Sequence, residues 1–119
     1  MASHNELGRQ GEQMALDYLI ANDYEVLETN YRYRKAEIDI IVRKDGVLIF
    51  VEVKTRSGLA YGPPESFVSE KKMELFMEAG YKFMDKINHD WEIRFDVISL
   101  LMGKNRLPQL KHLEDAFVP

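Results

Sequence analysis

Apolar and small residues recur at helical spacing near the start of the chain, behind a polar capping pattern. Ser3 and Glu6 have the Ser-x-x-Glu form of a capping box, in which both side chains accept backbone N–H bonds at a helix start. The stripe that follows reaches about Asn22 and consists of Leu7, Gly11, Met14, Ala15 and Tyr18. This spacing predicts a first helix with one face against a core.

Strand patterns replace the helical spacing from Tyr24 onward. Three runs are rich in β-branched and aromatic residues: 24–34 (YEVLETNYRYR), 36–44 (AEIDIIVRK) and 47–55 (VLIFVEVKT). Asp45 and Gly46, between the last two runs, suit the positive φ angles of a type I′ turn. The second and third strands are therefore predicted to form a hairpin.

The second half of the chain repeats the alternation of helix and strand. Residues 57–67 (SGLAYGPPESF) predict a loop, and Ser69 is a candidate N-cap of a second helix, with Val68 and Met73 placed as a hydrophobic staple. The apolar stripe of that helix consists of Leu75, Phe76, Ala79 and Phe83. A strand pattern at 91–101 (WEIRFDVISLL), a turn and a short final segment follow. The order αβββαβ, with a further strand after it, predicts an α/β fold with a mixed sheet flanked by helices.

The hairpin register brings charged positions together. A two-residue turn places Asp39 directly opposite Glu52, with Cβ atoms about 4.5–5.5 Å apart, and Glu37 opposite Lys54. A three-residue bulged turn would instead place Asp39 opposite Val51 and separate the carboxylates. The two-residue turn is favoured because it segregates the apolar and charged positions of both strands.

Both faces of this hairpin are apolar until the strands end in charge at Glu52, Lys54 and Arg56. One face is predicted to hold Ile41, Leu48 and Phe50 beside Asp39 and Glu52. The other face is predicted to hold Ile38, Ile40, Val42, Ile49, Val51 and Val53. A hairpin buried on both sides is covered by helices, so the charged ends would lie in a partly desolvated cleft at the sheet's rim.

Paired carboxylates without His or Cys suit a hard cation such as Mg²⁺ or Mn²⁺, and an adjacent lysine can orient a water molecule. The alternative is that Glu52 and Lys54 form an ordinary salt-bridged surface and that Glu12 is an exposed helical residue. Residues 30–35 (NYRYRK) interleave tyrosines with Arg32, Arg34 and Lys35, which suits phosphate contact and base stacking, but also a charged edge strand.

Composition limits these interpretations. Of the 119 residues, 45% are hydrophobic and 30% charged, as expected for one soluble domain spanning 1–119. The lack of cysteine excludes a disulfide framework and a thiolate metal site, and no secretory pattern or membrane-length apolar run occurs, so a cytoplasmic protein without a membrane partner is expected. The net charge of −4 does not favour nucleic-acid binding by bulk attraction, so basic residues would have to concentrate on one face.

The acids and the lysine resemble a known constellation. Glu12 on a helix, Asp39 on a strand and Glu52-Val53-Lys54 on the next strand resemble the PD-(D/E)XK nuclease superfamily. A longer match, from about Asn5 to Phe117, is similar to the YraN family, whose fold resembles archaeal Holliday junction resolvases. It is carried by LGRQGEQMALDYL, NYRYRKAEIDIIV, IFVEVKTR, YGPPESFVSEKK, IRFDVISL and HLEDAF. The resemblance implies a restriction-endonuclease-like (tRNA endonuclease-like) fold.

The resemblance also implies residue roles. Asp39, Glu52 and the Val53 carbonyl would hold Mg²⁺ or Mn²⁺, Lys54 would act on the attacking water, and Glu12 would assist directly or through water. Nucleic acid would be contacted by Arg32, Arg34, Lys35, Arg56 and Lys71. For Lys71, as for Lys72, the sequence alone favours a solvated first helical turn. Ala36 departs from the glycine that the family usually has before Glu-Ile-Asp.

The implied activity is metal-dependent endonuclease cleavage of DNA, which is favoured over RNA, with a branched or structured duplex as the first expectation. A homodimer is implied because a four-way junction needs two cuts. One rival is a nucleic-acid-binding protein that has the nuclease fold but no turnover. Another is a structural partner subunit, which would show no metal dependence.

Overall fold

A computed structural model describes residues 4–57, 69–103 and 107–116. Within these ranges, two helices and five strands occur in the predicted order, and the further short strand is confirmed. They are α1 (His4–Ala21), β1 (Glu25–Tyr33), β2 (Ala36–Lys44), β3 (Val47–Arg56), α2 (Glu70–Lys86), β4 (Ile93–Leu101) and β5 (Gln109–Leu113). Ser3 of the capping box, Val68 of the staple and most of the predicted loop lie outside the described residues.

The strands form one mixed sheet in the order β1-β2-β3-β4-β5. Strand β3 pairs in parallel with β4, and the other neighbours are antiparallel. A parallel pair needs a crossover connection, and α2 lies in the one between β3 and β4. The mixed α/β sheet flanked by two helices is therefore confirmed.

Each helix covers one face of the sheet. On one face, Phe76, Ala79 and Phe83 of α2 pack in a cluster with Phe50 and Phe95 of the sheet. On the other face, Ala15 and Leu19 of α1 pack in a second cluster with strand residues, namely Ile40, Val42, Ile49, Val51, Ile98 and Leu100. The hairpin of β2 and β3 is therefore buried on both sides, as its sequence indicates.

Two turn and cap predictions are confirmed. Asp45 and Gly46 have φ angles of 52° and 81°, so both occupy the left-handed region that a type I′ turn requires. Ser69 is the N-cap of α2, and its Oγ accepts a hydrogen bond from the Lys72 N–H at 3.1 Å. In the described part of the chain, no helix is long and apolar enough to cross a membrane.

One face assignment is wrong. Ile38 was predicted to share a face with Ile40, but it packs with Ile41 in the cluster under α2, whereas Ile40 packs in the cluster under α1. The alternation of β2 therefore slips by one residue at Asp39. Across the ladder, Thr29 pairs with Ile40 and Tyr31 with Ile38, so the residue opposite Asp39 is Asn30, which has a φ of 53°. Both strands are thus irregular at the level of the candidate site.

Candidate functional site

Asp39 replaces a ladder contact between β2 and β3 with a side-chain hydrogen bond. Its Oδ2 accepts the Val53 N–H at 2.7 Å. Among the described residues, the β2–β3 pairing ends at Ile40 and Val51, so the direct opposition of Asp39 to Glu52 predicted from the turn is not part of the ladder. Asp39 does not pair with Glu52 because the alternation of β2 slips by one residue at Asp39. The slip turns the Asp39 carboxylate into the gap where β2 and β3 separate.

The predicted pairing of Glu37 with Lys54 is also wrong. Glu37 instead pairs across β1 with Arg32, and their side chains form an ion pair at 3.1 Å between Nε and Oε2. Both side chains are substantially exposed, at 78% for Arg32 and 38% for Glu37, so this pair contributes little to stability. Because Glu37 pairs with Arg32, Lys54 contacts Glu52 instead of Glu37.

Glu52 is a buried carboxylate with two ammonium neighbours. The residue is 5% exposed. Its Oε1 lies 2.7 Å from the Lys72 Nζ and 3.5 Å from the Lys54 Nζ. The Lys54 contact follows from the Glu-x-Lys spacing on β3. Lys72 comes from the first turn of α2, and its prediction as a solvated residue did not include its contact with Glu52. Its position, four residues before the buried Phe76, was the available signal, because that spacing places a lysine on the core-facing stripe of the helix.

Glu12 reaches the site because α1 approaches β3 very closely. A Cβ added at Gly11 would overlap Thr55 Oγ1 and come within 3.1 Å of Thr55 Cβ, so only glycine fits there. The next residue, Glu12, acts on Asp39 through its charge and through a side-chain hydrogen bond. Gly11 is thus a positioning residue that sequence reasoning had placed only in the apolar stripe.

Crowding of carboxylates perturbs the acid–base behaviour of Asp39. Burial, followed by the negative charge of Glu52, raises the pKa of Asp39 to about 8, although the hydrogen bond from the Val53 N–H opposes this. Glu12 raises it further. Burial and the neighbouring acids together favour the neutral form of Asp39.

The lysines respond to the same surroundings in opposite directions. Burial lowers the pKa of Lys54, and the adjacent Lys72 lowers it further while Glu52 opposes the shift. Burial also acts to lower the pKa of Lys72, but hydrogen bonds with Glu52 and Lys54 outweigh burial and raise it. Lys72 is consequently the stable counter-ion of Glu52, and Lys54 is the less firmly charged of the two. We call Glu12, Asp39, Glu52, Lys54 and Lys72 the rim cluster.

Three clefts adjoin the rim cluster. A cleft of about 430 Å³ between α1 and the end of β3 is lined by Arg9, Glu12, Lys54 and Arg56, among others. One of about 290 Å³ under α2 is lined by Lys35, Asp39, Glu52 and Lys72, with further neighbours. A third, of about 260 Å³, is lined by Arg9, Glu12, Asn30 and Asp39 and others. Because Asp39 and Glu12 each line two of these clefts, a ligand on either side of the sheet edge can reach the acids.

The residues predicted to bind nucleic acid divide into two groups. Lys35 and Arg56 line the clefts at the rim cluster. Arg32 and Arg34 are exposed and lie in ion pairs with acids, Arg34 at 3.6 Å from Glu78. Lys71 is exposed at the start of α2. The basic residues are therefore spread from the clefts to the outer edge of β1.

The tyrosines interleaved with those arginines are engaged with the protein. Tyr31 packs edge-on against Phe83, with ring centroids 5.1 Å apart, and belongs to the core under α2. Tyr33 lies 5.3 Å below the Arg34 guanidinium, measured from its ring centroid. Base stacking on Tyr31 would have to displace core packing, so phosphate contact is the simpler use of this segment.

The donor set of the rim cluster suits a divalent cation, but its present arrangement does not form a ready metal site. Within the described ranges, no group of three or more His, Cys, Asp or Glu side chains is placed to hold a metal ion. Carboxylate oxygens are the ligands that Mg²⁺ and Mn²⁺ prefer, and the pKa of Asp39 is raised first by burial and then by the negative charge of Glu52, which a cation would offset. One oxygen of Glu52, Oε1, is bonded to Lys72.

A second polar cluster is centred on β4 and β5, against α1. Asp96 is fully buried and accepts hydrogen bonds from Arg94 at 2.9 Å and from the Asp115 N–H at 3.0 Å. His112 Nε2 lies 2.7 Å from Asp96 Oδ2, and its Nδ1 lies 2.9 Å from the Tyr18 hydroxyl. The network joins β4 and β5 to α1. It satisfies a buried carboxylate, which is a structural role.

These observations define an α/β protein with a buried carboxylate–lysine cluster at the rim of a mixed sheet. A family model described as the uncharacterised protein family UPF0102 matches residues 11–100, and the chain belongs to this family, which is the YraN family that its sequence resembles. The matched range contains all five residues of the rim cluster.

Relatives match over nearly their full length. A UPF0102 protein of Christiangramia forsetii is 44% identical over 117 residues, which cover 98% of each chain. A UPF0102 protein of Flavobacterium psychrophilum is 42% identical over 117 residues, with the same coverage. A third, from Flavobacterium johnsoniae, is 40% identical over 121 residues and again covers 98% of each chain. The family assignment therefore applies to the whole of the site.

Proposed function

We propose that the protein is a metal-dependent endonuclease that hydrolyses phosphodiester bonds in DNA, with branched or structured duplexes as its first candidate substrates. The observation that carries this proposal is the meeting of Asp39, Glu52 and Lys54 where β2 and β3 part, with Glu12 supplied by α1. This is the residue set of the PD-(D/E)XK nucleases that the sequence resembles. A restriction-endonuclease-like fold is part of the same proposal.

The acids would hold Mg²⁺ or Mn²⁺, with Asp39, Glu52 and the Val53 carbonyl as ligands and Glu12 acting directly or through water. When bound, such an ion activates water and polarises a phosphate. Lys54 orients the attacking water and stabilises the negative charge that develops on the phosphoryl oxygens. Its side chain is 13% exposed, so bulk water screens that charge only weakly.

Substrate contact would come from the basic residues around the clefts. Lys35 and Arg56, which line them, would hold the phosphates nearest the acids. Arg32, Arg34 and Lys71 would contact phosphates further along the strand. Because the net charge is −4, this binding depends on the local arrangement of cations and falls steeply with salt.

The ion pair between Glu52 and Lys72 supports a second candidate function, which is nucleic-acid binding without cleavage. Glu52 Oε1 is bonded to Lys72 at 2.7 Å, and the acids of the described residues form no ready metal site. This arrangement is what we would expect of a protein that binds nucleic acid without cleaving it. That function predicts salt-sensitive binding without cleavage, abolished when Arg32, Arg34 and Lys35 are changed together.

The experiment is a cleavage assay on labelled linear, flapped and four-way-junction DNA with Mn²⁺, Mg²⁺ or EDTA. The parent is compared with Glu52→Ala and with Glu25→Ala, whose carboxylate is 62% exposed and pairs with Arg43 away from the clefts. We expect junction or flap cutting that requires metal, disappears in Glu52→Ala and persists in Glu25→Ala. Cutting in EDTA, or equal cutting by Glu52→Ala and the parent, would refute the site.

A further inference from the structure

The shortest ion pair at the rim cluster joins α2 to β3. Lys72 Nζ lies 2.7 Å from Glu52 Oε1, whereas Lys54 Nζ lies 3.5 Å from the same oxygen. A distance of 2.7 Å is that of a charge-assisted hydrogen bond, and 3.5 Å is a looser electrostatic contact. Lys72, and not the lysine of the Glu-x-Lys motif, is therefore the principal partner of Glu52.

The backbone of α2 fixes where this ammonium can go. The Lys72 N–H donates to Ser69 Oγ in the N-cap, so the residue is held in the first helical turn. Its side chain starts on the core-facing side of the helix, four residues before the buried Phe76, and ends in the cleft that Asp39 and Glu52 also line. The Lys72 side chain is 44% exposed, so the contact is set by the position of the residue at the helix start and not by burial of the lysine.

The same contact conflicts with metal binding. A carboxylate oxygen that accepts an ammonium hydrogen at 2.7 Å cannot also take a divalent cation on that side, because the two positive charges repel. With Lys72 in place, the Glu52 carboxylate already has an ammonium partner at 2.7 Å from Oε1. A cation that bridges Asp39 and Glu52 through Oε1 would need the Lys72 ammonium to move away.

We infer that Lys72 is a positioning residue that holds Glu52 in the metal-free site and competes with the divalent cation for it. This inference rests on the proposed function, because it assumes that Glu52 is a metal ligand. Lys72 then keeps the buried carboxylate satisfied until metal arrives, and it lowers the affinity of the DNA-free protein for metal.

The test is titration of the DNA-free protein with Mn²⁺, followed by calorimetry and by the electron paramagnetic resonance signal of free Mn²⁺. Lys72→Met keeps the apolar stem and removes the charge, and Lys72→Gln keeps a hydrogen-bond donor without the charge. Lys82→Met makes the same charge change at an exposed position later in α2, outside the three clefts, and serves as the control. We expect both Lys72 variants to bind Mn²⁺ about tenfold more tightly than the parent, and Lys82→Met to match the parent.

Glu52→Gln and Asp39→Asn in the same titration separate the two claims. Loss of Mn²⁺ binding in these variants, with Lys72→Met and Lys72→Gln no tighter than the parent, overturns only the role of Lys72. Mn²⁺ binding that is unchanged in Glu52→Gln, or absent from every protein, overturns the proposed metal site and the inference with it. Circular dichroism of each variant establishes that it is folded before the titration is interpreted.

Discussion

The surroundings of Asp39 favour its neutral carboxyl form. Its pKa is raised from 3.8 to about 8 by burial and by Glu52, so the folded protein resists ionising a group that ionises readily in the unfolded chain. The stability that this group contributes is present below about pH 4 and is lost as the pH rises towards 8. A divalent cation would reverse the effect by favouring the charged form.

The first prediction concerns Asp39→Asn in EDTA. The free energy of unfolding of the parent should fall relative to the variant between about pH 4 and about pH 8, by on the order of 2 kcal/mol, because asparagine has no charge to bury. Denaturant unfolding at a series of pH values measures this. Parallel pH curves for the two proteins would show that Asp39 is not held neutral.

The second prediction concerns Asp96, which has the opposite shift. Burial acts to raise its pKa, but hydrogen bonds from His112, Arg94 and the Asp115 N–H outweigh burial and hold the pKa of Asp96 below 3.8. Asp96→Asn should lower the free energy of unfolding by about 3–5 kcal/mol at neutral pH, because a buried charge pair is broken. The contribution is present above pH 3.8 and is lost as the pH falls further.

Thermal or denaturant unfolding at about pH 7 and about pH 3 checks this second prediction. The gap between parent and Asp96→Asn should narrow in acid. Glu114→Gln, at an exposed partner of Arg94, is the matched control and should change stability little. A gap of equal size at both pH values would contradict the account of Asp96.

At the residue scale, the sequence could identify Asp39, Glu52 and Lys54 because two of them lie two positions apart and the third lies across a short hairpin. Lys72 could not be paired with Glu52 in this way, because it lies 20 positions later in the chain, on the helix of the crossover connection. Ile38 was assigned to the wrong face because strict alternation assumes an unbroken ladder, and the slip at Asp39 breaks it. That slip is also what directs the carboxylate into the site.

At the scale of elements, the placement of α1 depends on one glycine. Gly11 packs so closely on Thr55 that a Cβ would overlap its hydroxyl oxygen, and this approach sets Glu12 beside Asp39. The third prediction is that Gly11→Ala lowers the free energy of unfolding by about 1–3 kcal/mol, because α1 or Thr55 must shift. It should also weaken Mn²⁺ binding by moving Glu12.

Gly8→Ala is the matched control for Gly11→Ala. Gly8 lies one turn earlier in α1 with nothing within 4 Å of an added Cβ, so alanine there should be neutral or stabilise the helix by up to about 1 kcal/mol. Urea unfolding and Mn²⁺ titration of both variants provide the comparison. If Gly11→Ala unfolds like Gly8→Ala, the close approach of α1 does not position the site.

The elements themselves were largely predictable. The Asp45-Gly46 turn and the Ser69 cap depend on local backbone chemistry, and both are confirmed. The parallel pairing of β3 with β4 was harder to predict from the sequence. The order of elements predicts a mixed sheet but does not specify which strands become neighbours. The local pattern indicates that both faces of the hairpin are buried, but it does not encode which distant strand lies beside β3.

At the scale of the whole molecule, a negative protein is proposed to bind a negative polymer. The fourth prediction is that changing Arg32, Arg34 and Lys35 to glutamine together weakens DNA binding and makes it less salt-dependent. The slope of log K against log salt should fall by about 0.9 for each phosphate that the variant no longer neutralises. Arg32 and Arg34 also pair with acids, so the total fall should be smaller than three free cations would give.

Fluorescence anisotropy at several salt concentrations, in EDTA to prevent cutting, measures that slope. Arg43→Gln is the control, because Arg43 pairs with Glu25 at the other end of β1. The variant with three changes should bind less tightly than the parent, and Arg43→Gln should not. An unchanged slope in the triple variant would remove this segment from the nucleic-acid interface.

The central claim is that Asp39 and Glu52 share a divalent cation at the rim of the sheet. The most direct measurement is anomalous diffraction at the manganese absorption edge from crystals grown with Mn²⁺. The account predicts a manganese peak in contact with the Asp39 and Glu52 carboxylates and the Val53 carbonyl, with the Lys72 ammonium displaced from Glu52. Well-ordered crystals in which Lys72 remains on Glu52 and manganese is absent from this position, even at high Mn²⁺, would contradict it.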